Sequence, residues 1–169
     1  AYIAVPMALL LFGVLLFGIN LPEVRANNLT YGAYLDGYYG RYDQVVDKYQ
    51  RAKNISLNKL DLPVLLSAAL GEAIGKNPDE AELKKIINYF QQAVEWTNKA
   101  IALDPQNMFL YYIQAKNYAF LTEKTSEPKY LEKGLAVTQK AHELSPGRVR
   151  PFWLFAQLYL FGGDSERSL

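Results

Sequence analysis

Residues 98–105 read NKAIALDP, and residues 139–146 read QKAHELSP. Both stretches carry Lys-Ala, a Leu three residues after that Ala, and a Pro two residues after the Leu, so the two prolines lie 41 residues apart. An aromatic-rich stretch follows each of them, and residues 50–56 form a third, weaker copy. Self-similarity at a period of about 20–50 residues is typical of a solenoid built from stacked units. The sequence therefore predicts repeated helical hairpins.

The spacing of apolar residues predicts helices in the rest of the chain as well. Apolar side chains recur every three or four residues between regularly placed Gly, Pro and Asn residues, and no long stretch alternates as a strand would. Asn77 and Pro78 predict an N-cap and a first helical residue, and Glu127-Pro128 opens a helix in the same way. We predict an all-α protein with helices near residues 24–39, 42–55, 62–74, 79–103, 107–122, 128–144 and 149–161.

The N-terminal stretch, residues 1–19, reads AYIAVPMALLLFGVLLFGI and contains no charged side chain. A helix of that length spans about 28 Å, close to the ~30 Å hydrocarbon core of a bilayer. We predict a transmembrane helix over residues 1–19, a juxtamembrane linker over 20–25 and a helical repeat domain over 26–169. A signal peptide, which would carry a basic first region, and a buried core helix stay open as alternatives. The first residue, Ala1, and the unfinished last repeat favour a segment of a longer protein.

Composition argues against most kinds of catalytic site. The chain has a formal net charge of +1, no Cys and a single histidine, His142. The lack of Cys excludes disulfides, thiolate metal sites and Cys nucleophiles. The sequence has no basic patch with interleaved aromatic residues, so it does not indicate nucleic-acid binding. His142 lies near a predicted helix C-terminus, where a solvated position is expected. The stretch GEAIGK at residues 71–76 lacks the spacing of a phosphate loop. We therefore predict no catalytic residue, no metal site and no cofactor in this chain.

The repeated stretches resemble tetratricopeptide repeats, whose pattern runs W-x2-L-G-x2-Y, then A-x3-F, then a closing Pro. The resemblance covers roughly residues 26–165, although the Leu-Gly pair of the first helix is not intact, and Thr122 to Pro128 adds extra residues. It implies an α-solenoid in which small residues lie at helix crossings, and a role in binding other proteins. The matching residues are Gly40, Tyr42, Val45, Tyr49, Ala52, Ala93, Ala100, Pro105, Tyr111, Ala115, Tyr118, Ala141, Pro146, Phe152, Ala156, Tyr159 and Gly163.

The layout of the N-terminal part resembles the C-terminal end of bacterial O-antigen ligase or polymerase-like proteins. These are polytopic membrane glycosyltransferases, some of which carry a helical repeat domain after the last membrane helix. The resemblance implies that the catalytic loops lie upstream of this chain, so no catalytic residue is assigned here. The matching residues are the apolar run ending at Ile19, Asn20 to Pro22, Ala26 to Asn28, Tyr31, Gly40 and Tyr42.

First-helix side chains line the concave surface in repeats of the resembled type, and Tyr or Trp there would bind a peptide or stack on a sugar ring. The alternative is that these side chains complete the core between hairpins. Matching the repeat register to this sequence predicts eight residues on that surface: Asn27, Thr30, Tyr34, Tyr38, Tyr112, Lys116, Trp153 and Gln157.

The expected function follows from the anchor and the repeats together. We expect a membrane-anchored repeat domain that binds a protein or peptide partner, with a glycan as a further possible ligand. The preferred parent is an O-antigen ligase-like glycosyltransferase acting on lipid-linked glycan, with this segment as its non-catalytic tail. It would lie in a bacterial inner membrane with the repeat domain outside the cytoplasm. The alternative is a single-pass adaptor or scaffold of an envelope or secretion complex, without enzymatic activity.

Overall fold

The computed structural model describes residues 4–56, 62–73 and 79–164, and these residues form helices joined by short turns, with no strand among them. They divide into two compact units, unit 1 over Ala1–Ala73 and unit 2 over Ile74–Leu169. The all-α prediction is confirmed. The helices are α1 (Ala4–Gly13), a π-helix (Val14–Asn20), α2 (Leu21–Tyr38), α3 (Tyr42–Ile55), α4 (Leu62–Ala73), α5 (Glu80–Leu103), α6 (Met108–Thr125), α7 (Pro128–Leu144) and α8 (Val149–Phe161).

The first three of these helices follow one another without a break, so that Val5–Tyr38 is one helical rod of 34 residues. Its apolar window has a mean hydropathy of 2.1, and none of that window is buried within the chain. The rod is therefore long and apolar enough to cross a membrane. Residues 20–25, predicted as a linker, are helical. Pro22 comes immediately after the wider π-helical turns, and because proline has no N–H, one backbone hydrogen bond is missing there while the helix continues.

Unit 1 is built on an antiparallel pairing of α2 and α3, with α4 packed on both. Arg41 reaches Asp36 near the turn, the Lys48 ammonium lies 3.4 Å from the Gly32 carbonyl oxygen, and Ser56 bonds Glu23 at the far end. These contacts fix the register of the two helices over their whole length. The α2–α4 contact is very close at Gly37, where a Cβ atom would lie 2.1 Å from the Ala69 carbonyl oxygen.

Unit 2 contains α5 to α8, in which each helix runs antiparallel to the one before it. The Phe90 and Phe120 rings stack at 4.0 Å between α5 and α6, and a Cβ on Gly134 of α7 would lie 3.2 Å from the Tyr118 Cβ of α6. Leu158 of α8 packs over the same glycine. Helix α8 contacts both α7 and α6, which brings α6 and α8 side by side.

Side-chain N-caps mark the beginnings of α5 and α6, at Asp79 and Asn107. Asp79, not Asn77, is the N-cap of α5, because its carboxylate accepts a hydrogen bond from the Glu82 N–H at 2.8 Å while the Glu82 carboxylate accepts from the Asp79 N–H. Asn77 and Pro78 lie outside the described residues. Pro128 begins α7 as predicted. Helix α6 continues to Thr125, beyond the predicted end at residue 122, and stops at Ser126, whose φ is 55°.

Alanines are among the most deeply buried side chains of both units. Five alanines are buried on α3, α5, α6 and α7, and a larger side chain at these points would separate the helices. The solenoid and the tetratricopeptide assignment stay predictions, since antiparallel helices with small residues at their crossings occur in other helical folds too. The five alanines are Ala52, Ala93, Ala100, Ala115 and Ala141.

Candidate functional site

Four of the predicted binding residues come together on one side of unit 2. Tyr112 and Lys116 lie one turn apart on α6, and Trp153 and Gln157 lie one turn apart on the adjacent helix α8. Lys116 and Trp153 are exposed, whereas Tyr112 and Gln157 are half-buried. A set of residues distant in sequence therefore shares one surface. We call it the α6–α8 face and define it by Phe109, Tyr112, Lys116, Arg150, Trp153 and Gln157.

The two members of the α6–α8 face that the sequence analysis did not select are Phe109 and Arg150. The Arg150 guanidinium lies 5.6 Å from the centre of the Tyr112 ring, and Phe109 stacks on that same ring at 6.0 Å. A cation at this distance is attracted to the negative face of the ring and holds it in place. Helical spacing alone could have indicated Arg150, because it precedes Trp153 by three residues on α8.

The other four predicted residues lie on α2 in unit 1. Asn27, Tyr34 and Tyr38 are exposed and share one side of the helix with Tyr31, which the sequence analysis missed although it follows Asn27 by four residues. We call these four residues the tyrosine stripe. Thr30 is buried beneath this surface, and its hydroxyl donates a hydrogen bond to the Asn27 carbonyl oxygen at 2.9 Å. Thr30 therefore serves packing.

His142 is less solvated than the sequence predicts. Its ring is half-buried and meets the Phe152 ring edge-on at 4.8 Å, and its Nδ1 atom is buried without a hydrogen-bond partner among the described residues. The reason is tertiary, because α8 folds back along α7 and places Phe152 over the end of that helix. Within the described ranges, no group of three or more His, Asp or Glu side chains could hold a metal ion.

A shallow groove of about 400 Å³ opens between α5 and α7 over α6. The Gln114 amide donates a hydrogen bond to the Asn98 side-chain oxygen across the groove. Burial raises the pKa of the Tyr118 hydroxyl, and the neighbouring Tyr130 raises it further, which reinforces the neutral form that a phenol already has near pH 7. The groove therefore presents a neutral floor with Lys133 and Lys140 along one side, and it offers no acid and base in contact.

The chain matches no protein-family model, and no curated protein matches it significantly. Two exposed aromatic surfaces, one in each unit, are the features that the described residues offer for binding.

Proposed function

We propose that this chain is a membrane-anchored helical-repeat domain that binds a partner protein through the α6–α8 face. The observation that carries the proposal is the cluster around Tyr112, where Phe109 and Arg150 hold the ring, with the exposed Trp153 three residues after Arg150 on α8. Trp, Tyr and Arg are the residues that most often dominate the binding energy of protein interfaces. A rigid aromatic surface also loses little conformational entropy when a partner binds.

The charge of the α6–α8 face supports a peptide ligand that carries carboxylates. Lys116 and Arg150 place two cations on the face, and none of its six residues is acidic. An extended segment could stack apolar side chains on Trp153 and direct its carboxylates to these cations. Pairs between exposed carboxylates and exposed cations at an interface mainly raise the association rate, and they make that rate depend on the salt concentration.

The membrane part of the proposal depends on the N-terminal rod. None of its apolar window is buried within the chain. Exposing these apolar side chains to water costs free energy, whereas exposing them to lipid does not. Because α2 is the second half of this rod and packs within unit 1, unit 1 would be held at the bilayer surface.

The α6–α8 face is tested by comparing Trp153→Ala with Phe152→Ala. Both side chains are aromatic, lie on α8 and are similarly exposed, at 56% and 54%, but Phe152 faces His142 instead of Tyr112. Peptides selected from a random display library against the full chain in nanodiscs would be titrated against both variants. We expect Trp153→Ala to weaken binding by about 2 kcal/mol, roughly thirtyfold. Phe152→Ala should bind like the parent chain.

Equal weakening by both variants would mean that the selected peptides recognise α8 in general or bind elsewhere, and the proposed face would be abandoned. An oligosaccharide panel run in parallel addresses the glycan. Binding of sugars with the same dependence on Trp153, together with failure to select any peptide, would replace the protein partner by a glycan.

The parent of this domain is proposed from the layout of the N-terminal part. An O-antigen ligase-like glycosyltransferase in a bacterial inner membrane, with the repeat domain outside the cytoplasm, would use it as a non-catalytic tail near the lipid-linked glycan. The alternative is a single-pass adaptor. Sequencing the gene upstream of Ala1 distinguishes the two, because a polytopic enzyme requires several further apolar segments of about 20 residues and an adaptor requires none.

A further inference from the structure

The hydrogen bond between Ser56 and Glu23 fixes the height of α3 along the N-terminal rod. The Ser56 hydroxyl lies 3.0 and 3.2 Å from the two carboxylate oxygens of Glu23, and the antiparallel register continues at Lys48 and Gly32. Helix α3 therefore returns toward the apolar segment from which α2 emerges. Its last residues stand at the level of Glu23.

The level of Glu23 can be placed relative to the apolar segment. Asn20 is the first amide side chain after that segment, and Glu23 is the first charged residue of the chain. At a rise of 1.5 Å per residue, Glu23 lies about 4.5 Å beyond Asn20 along the helix axis. The headgroup region of a bilayer extends roughly 5–7 Å beyond the hydrocarbon core on each side. Glu23, and Ser56 with it, therefore falls within the thickness of that region.

The side chains exposed at this level have the chemistry of a lipid interface. Val24 and Ile55 are exposed apolar residues on the two helices, at 52% and 37%, and Arg25, which follows Val24 in the chain, is an exposed cation. Side chains on a helix point toward its N-terminus, so Arg25 on α2 leans toward the apolar segment. Its methylenes can lie along apolar surface while the guanidinium reaches phosphate oxygens.

We propose that the end of α3, Asn54 to Ser56, lies in the phospholipid headgroup layer together with Val24 and Arg25. Unit 1 thus has a second contact with the bilayer in addition to the spanning rod. The occupant of this surface is the headgroup layer of the bilayer that the rod crosses, so the inference rests on the proposed membrane anchor. Two points of contact hold the α2–α3 pair upright and oppose its rotation about the rod.

Because the chain has no cysteine, a single introduced cysteine can be labelled selectively in the full chain. An environment-sensitive fluorophore would be placed by Ile55→Cys, by Gln44→Cys near the opposite end of α3, or by Phe12→Cys on α1. The chains would be reconstituted in nanodiscs that contain lipid with a nitroxide either on the headgroup or deep in the acyl chain. Gln44 is the matched control, because it is exposed on the same helix about 16 Å farther from the bilayer.

We expect the headgroup nitroxide to remove most of the fluorescence of the label at residue 55 and to leave the label at residue 44 unchanged. The acyl-chain nitroxide should quench the label at residue 12. If the headgroup nitroxide quenches the label at residue 55 no more than the label at residue 44, while the acyl-chain nitroxide quenches the label at residue 12, the headgroup contact is overturned and the anchor stays intact. A label at residue 12 that the acyl-chain nitroxide does not quench would remove the anchor, and the headgroup contact would fall with it.

Discussion

Gly37→Ala is expected to separate α4 from α2 and to destabilise unit 1 by about 3 kcal/mol or more, at the upper end of overpacking effects. A Cβ at this position would lie 2.1 Å from the Ala69 carbonyl oxygen and 2.8 Å from the Ala69 carbonyl carbon. Both atoms belong to the backbone, so no side-chain rotation relieves the clash. The helices would have to move apart, and the buried residues between them would lose contact.

Gly71→Ala is the matched control for this substitution. Gly71 lies on α4, two residues from Ala69, but a Cβ there would have no neighbour within 4 Å. Alanine at an open helical position should stabilise by roughly 0.5–1 kcal/mol, because glycine lowers helix stability. Native-state hydrogen exchange of α3 and α4 would report both effects, with unit 2 as an internal reference. Unchanged protection in Gly37→Ala would show that the two helices are farther apart than described here.

Asp36→Asn is expected to destabilise unit 1 by about 2–4 kcal/mol. The Asp36 carboxylate is 1% exposed and forms ion pairs with Arg41, at 2.7 Å, and with Lys48. An asparagine keeps the volume but loses the charge, and its amide N–H groups would face two cationic donors. One substitution thus removes both charge-assisted contacts between α3 and the end of α2.

Asp47→Asn serves as the comparison for this second prediction. Asp47 pairs with Arg51 one turn away at 3.6 Å, and both side chains are more than 60% exposed. Exposed pairs of this kind contribute only about 0.3–0.5 kcal/mol. Hydrogen exchange of the α2–α3 amides should therefore separate the two variants clearly. Similar, small effects in both would mean that water reaches Asp36 in solution.

Periodicity predicts the helices best where they are amphipathic and where turn residues mark their ends. The predicted boundaries 42–55, 128–144 and 149–161 agree with α3, α7 and α8. One error lies at a local breaker. Asn20 and Pro22 read as a helix stop, yet the helix continues through them, and π-helical turns over Val14–Asn20 come immediately before the residue that lacks an N–H.

The candidate site is less accessible to sequence reasoning. Helical spacing shows that Tyr112 and Lys116 share one side of α6, and that Trp153 and Gln157 share one side of α8. It does not show that these two helices are neighbours. The pairing of α6 with α8 depends on α8 folding back along α7, which is a long-range packing event. Helical spacing groups Arg150 with Trp153, but the contact of Arg150 with the Tyr112 ring on α6 depends on the same long-range packing. Burial of Thr30 likewise depends on neighbours that the sequence does not specify.

The uninterrupted rod from Val5 to Tyr38 has a mechanical consequence. From Asn20 to Tyr38 it forms a lever arm of about 27 Å, helical at every residue between the apolar segment and the packed part of α2. Apolar helices adjust to bilayer thickness by tilting, and a 10° change in tilt would displace Tyr38 by roughly 5 Å. In a membrane, a change in bilayer thickness would thus change the tilt of this helix and move unit 1.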